Sequence, residues 1–139
     1  MSPKTFSGQC YCGATRFHAA KPPSIVTYCH CTDCRRVTGA PVAAFAAFDI
    51  SAINFSPDAR KFATITTGVK RGFCKNCGSP LTGQYDYLPD TIYISVGLID
   101  QADDLPPALH AHVGSKLQWL QIDDDLERFP TSARSRLNE

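Results

Sequence analysis

Short runs of alternating apolar and polar residues dominate the chain. KFATIT at 61–66 alternates with a period of two, the pattern of a strand with one wet and one dry face. TIYISV at 91–96 is rich in β-branched and aromatic residues, which suit a pleated, half-buried surface. The same reading predicts strands at 4–9, 14–19, 25–29, 42–48, 50–55, 61–66, 69–73, 79–86 and 91–98. Ten prolines and nine glycines break these runs at short intervals, as in an all-β chain. Helical signal is confined to CTDCRRVT at 31–38, closed by Gly39 and followed by Pro41, and to a short turn near 115–120. No internal repeat and no linker divides the sequence. The expectation is a mainly β, single-domain protein over residues 1–130, with TSARSRLNE at 131–139 as a polar C-terminal tail that frays.

Composition narrows the function. Hydrophobic residues at 43% and charged residues at 19% describe an ordinary globular chain, and 139 residues suffice to bury a core without staples. A net charge of +1, with no basic stripe interleaved with aromatics, argues against nucleic acid and anionic membrane as partners. MSPKTFSGQC lacks the apolar run of a secretory signal, and the longest apolar stretch, APVAAFAAF at 40–48, is too short to cross a bilayer. The expected location is cytoplasmic, where thiols stay reduced.

Thiols are the candidate chemistry. Seven cysteines, an odd number, fall in three blocks: QCYCG at 9–13, YCHCTDCRR at 28–36 and FCKNCG at 73–78. Clustered reduced thiols point to metal or redox chemistry. In FCKNCG, Cys74 and Cys77 have the spacing of a zinc knuckle, and Gly78 supplies the permissive φ such a turn needs. In QCYCG, an extended backbone places Cys10 and Cys12 on one face and Tyr11 on the other. In the central block, Cys29 and Cys31 share a face if the chain arrives as a strand, which turns His30 away; Cys31 and Cys34 adjoin on a helical turn. The economical partition is four plus three. Cys10, Cys12, Cys74 and Cys77 close one tetrahedron, while Cys29, Cys31 and Cys34 leave a vertex open, as catalysis requires.

Other partitions stay open on spacing alone. The knuckle could pair with Cys31 and Cys34; one structural zinc could accompany three ordinary buried cysteines; or Cys31 and Cys34 could form a redox dithiol.

Three longer segments carry a family likeness: GQCYCGATRF, YCHCTDCRRVTGAPV and RGFCKNCGSPLTGQYD, in that order. With TIYISVGLID at 91–100 and LHAHVGSKLQWLQIDDDLERFP near the end, the sequence resembles the glutathione-dependent formaldehyde-activating enzyme and centromere protein V family over nearly its whole length. The resemblance implies a mostly antiparallel β-sheet zinc fold with few short helical turns. It implies two zinc ions per chain, one structural on Cys10, Cys12, Cys74 and Cys77, and one catalytic on Cys29, Cys31 and Cys34. It also implies a carbon–sulfur lyase that adds glutathione to formaldehyde, forming S-hydroxymethylglutathione. His110 and Trp119 fall on the family's histidine and tryptophan. Ala111 and His112 replace a more apolar and aromatic pair, and Gln118 stands where proline is usual; these departures touch one pocket wall and leave the zinc ligands intact.

Three thiolates would make the open zinc an electron-rich, poor Lewis acid, better suited to capturing a soft thiolate than to acidifying water. The resemblance names that thiol as glutathione, the expected co-substrate, with a small electrophile beside it. Its carboxylates need cations: Arg35 and Arg36, directly after the open site, are the expected glutathione-binding residues, and Lys70 and Arg71 precede the knuckle. Solvated surface charge is the plainer reading of each. Asp33 and His30 are candidate proton relays, His30 being more simply a packed neighbour of the metal. His110 and Trp119 are candidates for a pocket wall, Trp119 being more simply core. The competing functions are a non-catalytic zinc module recognising a protein or nucleic acid, an enzyme acting on another thiol adduct, and a thiol-redox protein.

Overall fold

A computed structural model describes residues 5–137. Strands β1 (Phe6–Gln9), β2 (Arg16–Ala19) and β5 (Ile53–Phe55) pair antiparallel into a three-stranded sheet. The larger, eight-stranded sheet contains β3 (Ile25–Cys29), β4 (Ala43–Asp49), β6 (Arg60–Ala63), β7 (Val69–Cys74), β8 (Pro80–Tyr85), β9 (Thr91–Ser95), β10 (Leu109–Ala111) and β11 (Glu127–Arg128). Its order is β11-β10-β3-β4-β9-β8-β7-β6, antiparallel except that β10 lies parallel to both β3 and β11. The mainly β, single-domain fold expected from the sequence is thus present. Among the described residues, no helix is long and apolar enough to cross a membrane.

Period-two alternation in the central strands gives the large sheet two different faces. From β4, Ala46 and Phe48 join Ile92 and Ile94 of β9 in the main core. Phe6, Phe17, Ala19 and Ile53 of the small sheet meet them there, so the two sheets share one apolar layer. Phe6 and Phe48 pack edge to face at 6.2 Å between centroids. Each phenylalanine or isoleucine buried there contributes about 1.5–3 kcal/mol, which makes this layer the main source of stability. The intervening residues Ala43, Phe45, Ala47 and Tyr93 point the other way and gather with Cys34. That second face carries the site.

The helical segment is α1 (Thr32–Thr38). Cys31 caps its start, its sulfur accepting from Cys34 N at 3.2 Å. Gly39 ends it at φ 72°, donating to Arg35 O at 2.7 Å. The strand expected over 50–55 begins late because the Asp49 side chain accepts from Ser51 N and sets a 3₁₀ turn over Ile50–Ala52. The short turn expected near 115–120 is present, closed by Leu120 N–H donating to Leu117 O at 3.1 Å, and it follows a 3₁₀ turn at Val113–Ser115.

β10 and β11 carry too few residues to show a period, and the sequence reading missed both. The tail expected to fray packs instead, as far as it is described. His112 donates its N–H to Thr131 O at 2.8 Å, Ala133 is buried beside Leu109 and Ala111, and α2 (Arg134–Leu137) follows.

Candidate functional site

Two loops assemble the first thiol group. Cys10 and Cys12 lie in the turn after β1, and Cys74 and Cys77 flank the turn between β7 and β8. The turns are alike: Gly13 N–H donates to Cys10 O, and Gly78 N–H donates to Cys74 O, with φ of 81° and 79° respectively. Cys10 and Cys12 therefore meet through a turn and not through the extended backbone first expected. Their sulfurs stand 3.7 Å apart, and Cys12 to Cys74 is 3.8 Å. The edge of a tetrahedron with zinc–sulfur bonds of about 2.3 Å is about 3.8 Å, so the spacing fits that ion.

Donors also converge on these sulfurs. Thr15 N reaches Cys10 at 3.3 Å, Ala14 N reaches Cys12 at 3.4 Å, Asn76 N reaches Cys74 at 3.4 Å, and Asn76 Nδ2 reaches Cys12 at 3.2 Å. Such donors stabilise thiolate over thiol. Hydrogen bonding from Ser79, first through its side chain, holds the Cys77 thiol down at about 5.

The second group is built by one contiguous segment. β3 delivers Cys29, the helix cap delivers Cys31, and the first turn of α1 delivers Cys34, which is buried. Their sulfurs lie within 4.8 Å of one another, Cys29 and Cys31 at 3.4 Å, and no fourth histidine, cysteine or carboxylate joins them among the described residues. Without a metal the trio concentrates negative charge on Cys31. Hydrogen bonds from Cys29 and then Cys34 pull Cys31 far down. The same bonds push Cys34 up, and Cys29 rises to about 11, chiefly through its bond to Cys31. A divalent cation would relieve that crowding. Both groups could thus hold a metal ion.

Above the three sulfurs lies a cleft of about 370 Å³, walled by Phe45, Tyr85, Tyr87 and Tyr93. Tyr85 and Tyr93 meet edge to face at 5.3 Å. Burial pushes both phenols above their ordinary range, so they remain neutral. Arg71 reaches the cleft from β7, across from Gly83 in the neighbouring strand. A methyl group at Gly83 would stand 2.9 Å from Arg71 Nη1; the missing side chain makes room for the guanidinium. Burial opposes the charge on Arg71, but attraction and hydrogen bonds to Tyr85 and Cys34 outweigh it and raise its pKa.

Residues expected at the site are distributed as follows. Asp33 lines the cleft, where its carboxylate accepts from Thr66 Oγ1 at 3.2 Å. Arg35 is half-buried and Arg36 exposed on α1, and neither is among the residues lining the cleft; Arg71 and Arg134 are. Lys70 instead lies 4.3 Å from the Phe62 ring centroid.

His30 faces away from the thiols, as alternation required. It is fully buried, with Nε2 at 2.9 Å from His110 Nδ1, and His110 Nε2 lies 2.9 Å from Asp124 Oδ2. Burial, then the positive charges of His110, Lys116 and Arg128, push His30 down to about 4, so it is neutral. Trp119 was expected in the core but is 69% exposed, because residues 117–122 form no strand that would fold the ring inward. Ala111 and His112, expected at a pocket wall, line the cleft, whereas the cleft tyrosines and Arg134 were not foreseen. Tyr93 alone had a signal, alternating with two core isoleucines.

Comparison with known proteins agrees with this geometry. A model of the family described as glutathione-dependent formaldehyde-activating enzyme matches residues 5–115. A Halomonas elongata protein named "Putative glutathione-dependent formaldehyde-activating enzyme" is 27% identical, over 84% of this chain and 80% of that one. An uncharacterized lyase of Schizosaccharomyces pombe is 26% identical over 72% of each chain. The crystal structure of a Rhodobacter sphaeroides protein has the same fold, with a TM-score of 0.57 and 19% identity, covering 88% of this chain and 98% of that one. The family match spans most of the described residues and all seven cysteines: the chain belongs to the glutathione-dependent formaldehyde-activating enzyme family.

Proposed function

We propose that this protein is a carbon–sulfur lyase that joins glutathione to formaldehyde, with zinc as the metal and Cys29, Cys31 and Cys34 as its catalytic ligands. One observation carries the reading: three sulfurs converge beneath an open cleft with no fourth protein ligand among the described residues, while the other four close on themselves. A structural metal needs no vacancy, whereas a catalytic one does.

The reaction adds a thiol across a carbonyl. A carbon–sulfur bond forms, the carbonyl π bond opens, and the proton leaves sulfur for oxygen. Zinc held by the three thiolates would supply a position that favours a soft sulfur ligand and its ionised form. The chain's own residues complete the site. Arg71, beside Cys34, offsets the negative charge of the thiolates. The tyrosines and Phe45 restrict water around the reacting atoms. Asp33 lines the cleft, oriented by its hydrogen bond from Thr66, and is the candidate proton relay. Arg35 and Arg36 stand outside the lining of the cleft, so the carboxylate-binding role first expected of them falls to another cation. Seven unbridged thiols also suit a reducing, cytoplasmic location.

The hemithioacetal forms without help, so the test is a rate at equilibrium. Exchange spectroscopy on labelled formaldehyde and glutathione should show faster exchange with the zinc-loaded protein, and the gain should vanish in Cys31→Ser. Unchanged exchange with wild type carrying both metals would refute the lyase reading.

A further inference from the structure

One wall of the cleft comes from outside the stretch that matches the family. That match ends at residue 115, yet Ser132, Ala133 and Arg134 line the same cleft as the three cysteines. The wall is firmly placed. Gly114 N–H donates to Pro130 O at 3.0 Å, His112 N–H donates to Thr131 O at 2.8 Å, and Ala133 is 2% exposed.

Arg134 has an unusual setting. Its guanidinium carbon stands 3.9 Å from the centroid of the Tyr87 ring, which covers one face of the group. Its N–H edge pairs with no carboxylate among the described residues. The other arginine of the cleft, Arg71, is already engaged by Cys34 and Tyr85. The acid of the cleft, Asp33, is bound by Thr66. A planar fork steadied on an aromatic face, with its edge free, is a geometry that receives a carboxylate in two parallel hydrogen bonds.

We infer that Arg134, stacked on Tyr87, selects the thiol by binding its carboxylate, so that the cleft takes acidic thiols in preference to neutral ones. This rests on the lyase reading for the identity of the thiol, glutathione being a peptide thiol with two carboxylates.

The test is calorimetric binding to the zinc-loaded full chain, without formaldehyde, of glutathione and of its diethyl ester, in which both carboxylates are blocked. Wild type should prefer the acid roughly tenfold or more, and Arg134→Gln should erase that preference by weakening the acid alone. Tyr87→Leu, which keeps the charge but removes the platform, should show a smaller loss in the same direction. Unchanged glutathione affinity in Arg134→Gln, or an equal loss for acid and ester, would overturn the inference. A protein that binds glutathione through Arg134 yet does not speed exchange would sink the lyase reading and leave this inference standing.

Discussion

A single methyl group at Gly83 tests whether Arg71 acts where it lies. In Gly83→Ala the new carbon would stand 2.9 Å from Arg71 Nη1 and 3.7 Å from the Tyr85 ring. Ordinary contact needs about 3.5 Å, so the guanidinium must withdraw by roughly half an ångström while the tyrosine stays. Because the obstructing atom is the end of a flexible side chain, folding is barely affected. Alanine also lowers the entropy of the unfolded chain, and the net change in stability should lie within about 1 kcal/mol. A shift of that size stretches its charged hydrogen bond to Cys34 past its useful range, so the thiolates beneath the ligand lose their offsetting charge, and such bonds are worth about 1.5–3 kcal/mol. Glutathione affinity should therefore fall at least about tenfold, with both metals retained and the melting temperature nearly constant. Calorimetric titration beside thermal unfolding and metal analysis reads all three quantities. Wild-type affinity in Gly83→Ala, with Arg71 demonstrably displaced, would refute the role given to that arginine.

Three further outcomes follow from the geometry. Gly8→Ala should lower stability by about 1–3 kcal/mol in urea unfolding, because its methyl would stand 2.2 Å from the Leu98 carbonyl oxygen and 2.3 Å from Phe17 Cζ, inside the main core. Asp124 is held below the ordinary carboxylate range, first by its hydrogen bond to His110. Its stabilising effect is complete above the unfolded value of about 3.9 and is lost as pH falls through the folded value; the gap in urea midpoint between wild type and Asp124→Asn should shrink on acidification, and a gap independent of pH would contradict this. Metal analysis should find two zinc ions in wild type and one in Cys31→Ser, and a chelator should empty the three-thiol site first.

The sequence made some of this legible for a definite reason. The ligands of each thiol group lie within short blocks, so local spacing carries most of the geometry: Cys29, Cys31 and Cys34 meet through one strand end and one helical turn. Alternation also separated His30 from its cysteine neighbours correctly. The cleft was largely hidden because register and long-range pairing build it. Arg71 faces Gly83 through the β7–β8 register, and His110 reaches His30 across 80 residues through a three-residue parallel strand. Arg134 arrives by way of Ala133, whose burial no local pattern announces. Trp119 shows the reverse error: an aromatic residue suggests core only where some element turns it inward.

The central claim is that seven thiolates make one closed and one open metal centre. Its most direct test is cadmium-113 resonance of the protein with cadmium in place of zinc, recorded with and without glutathione. The account predicts two sulfur-bound signals, of which one moves when glutathione is added and is missing in Cys31→Ser, while the other stays fixed. Two signals that both ignore glutathione, or a single four-sulfur signal, would contradict it.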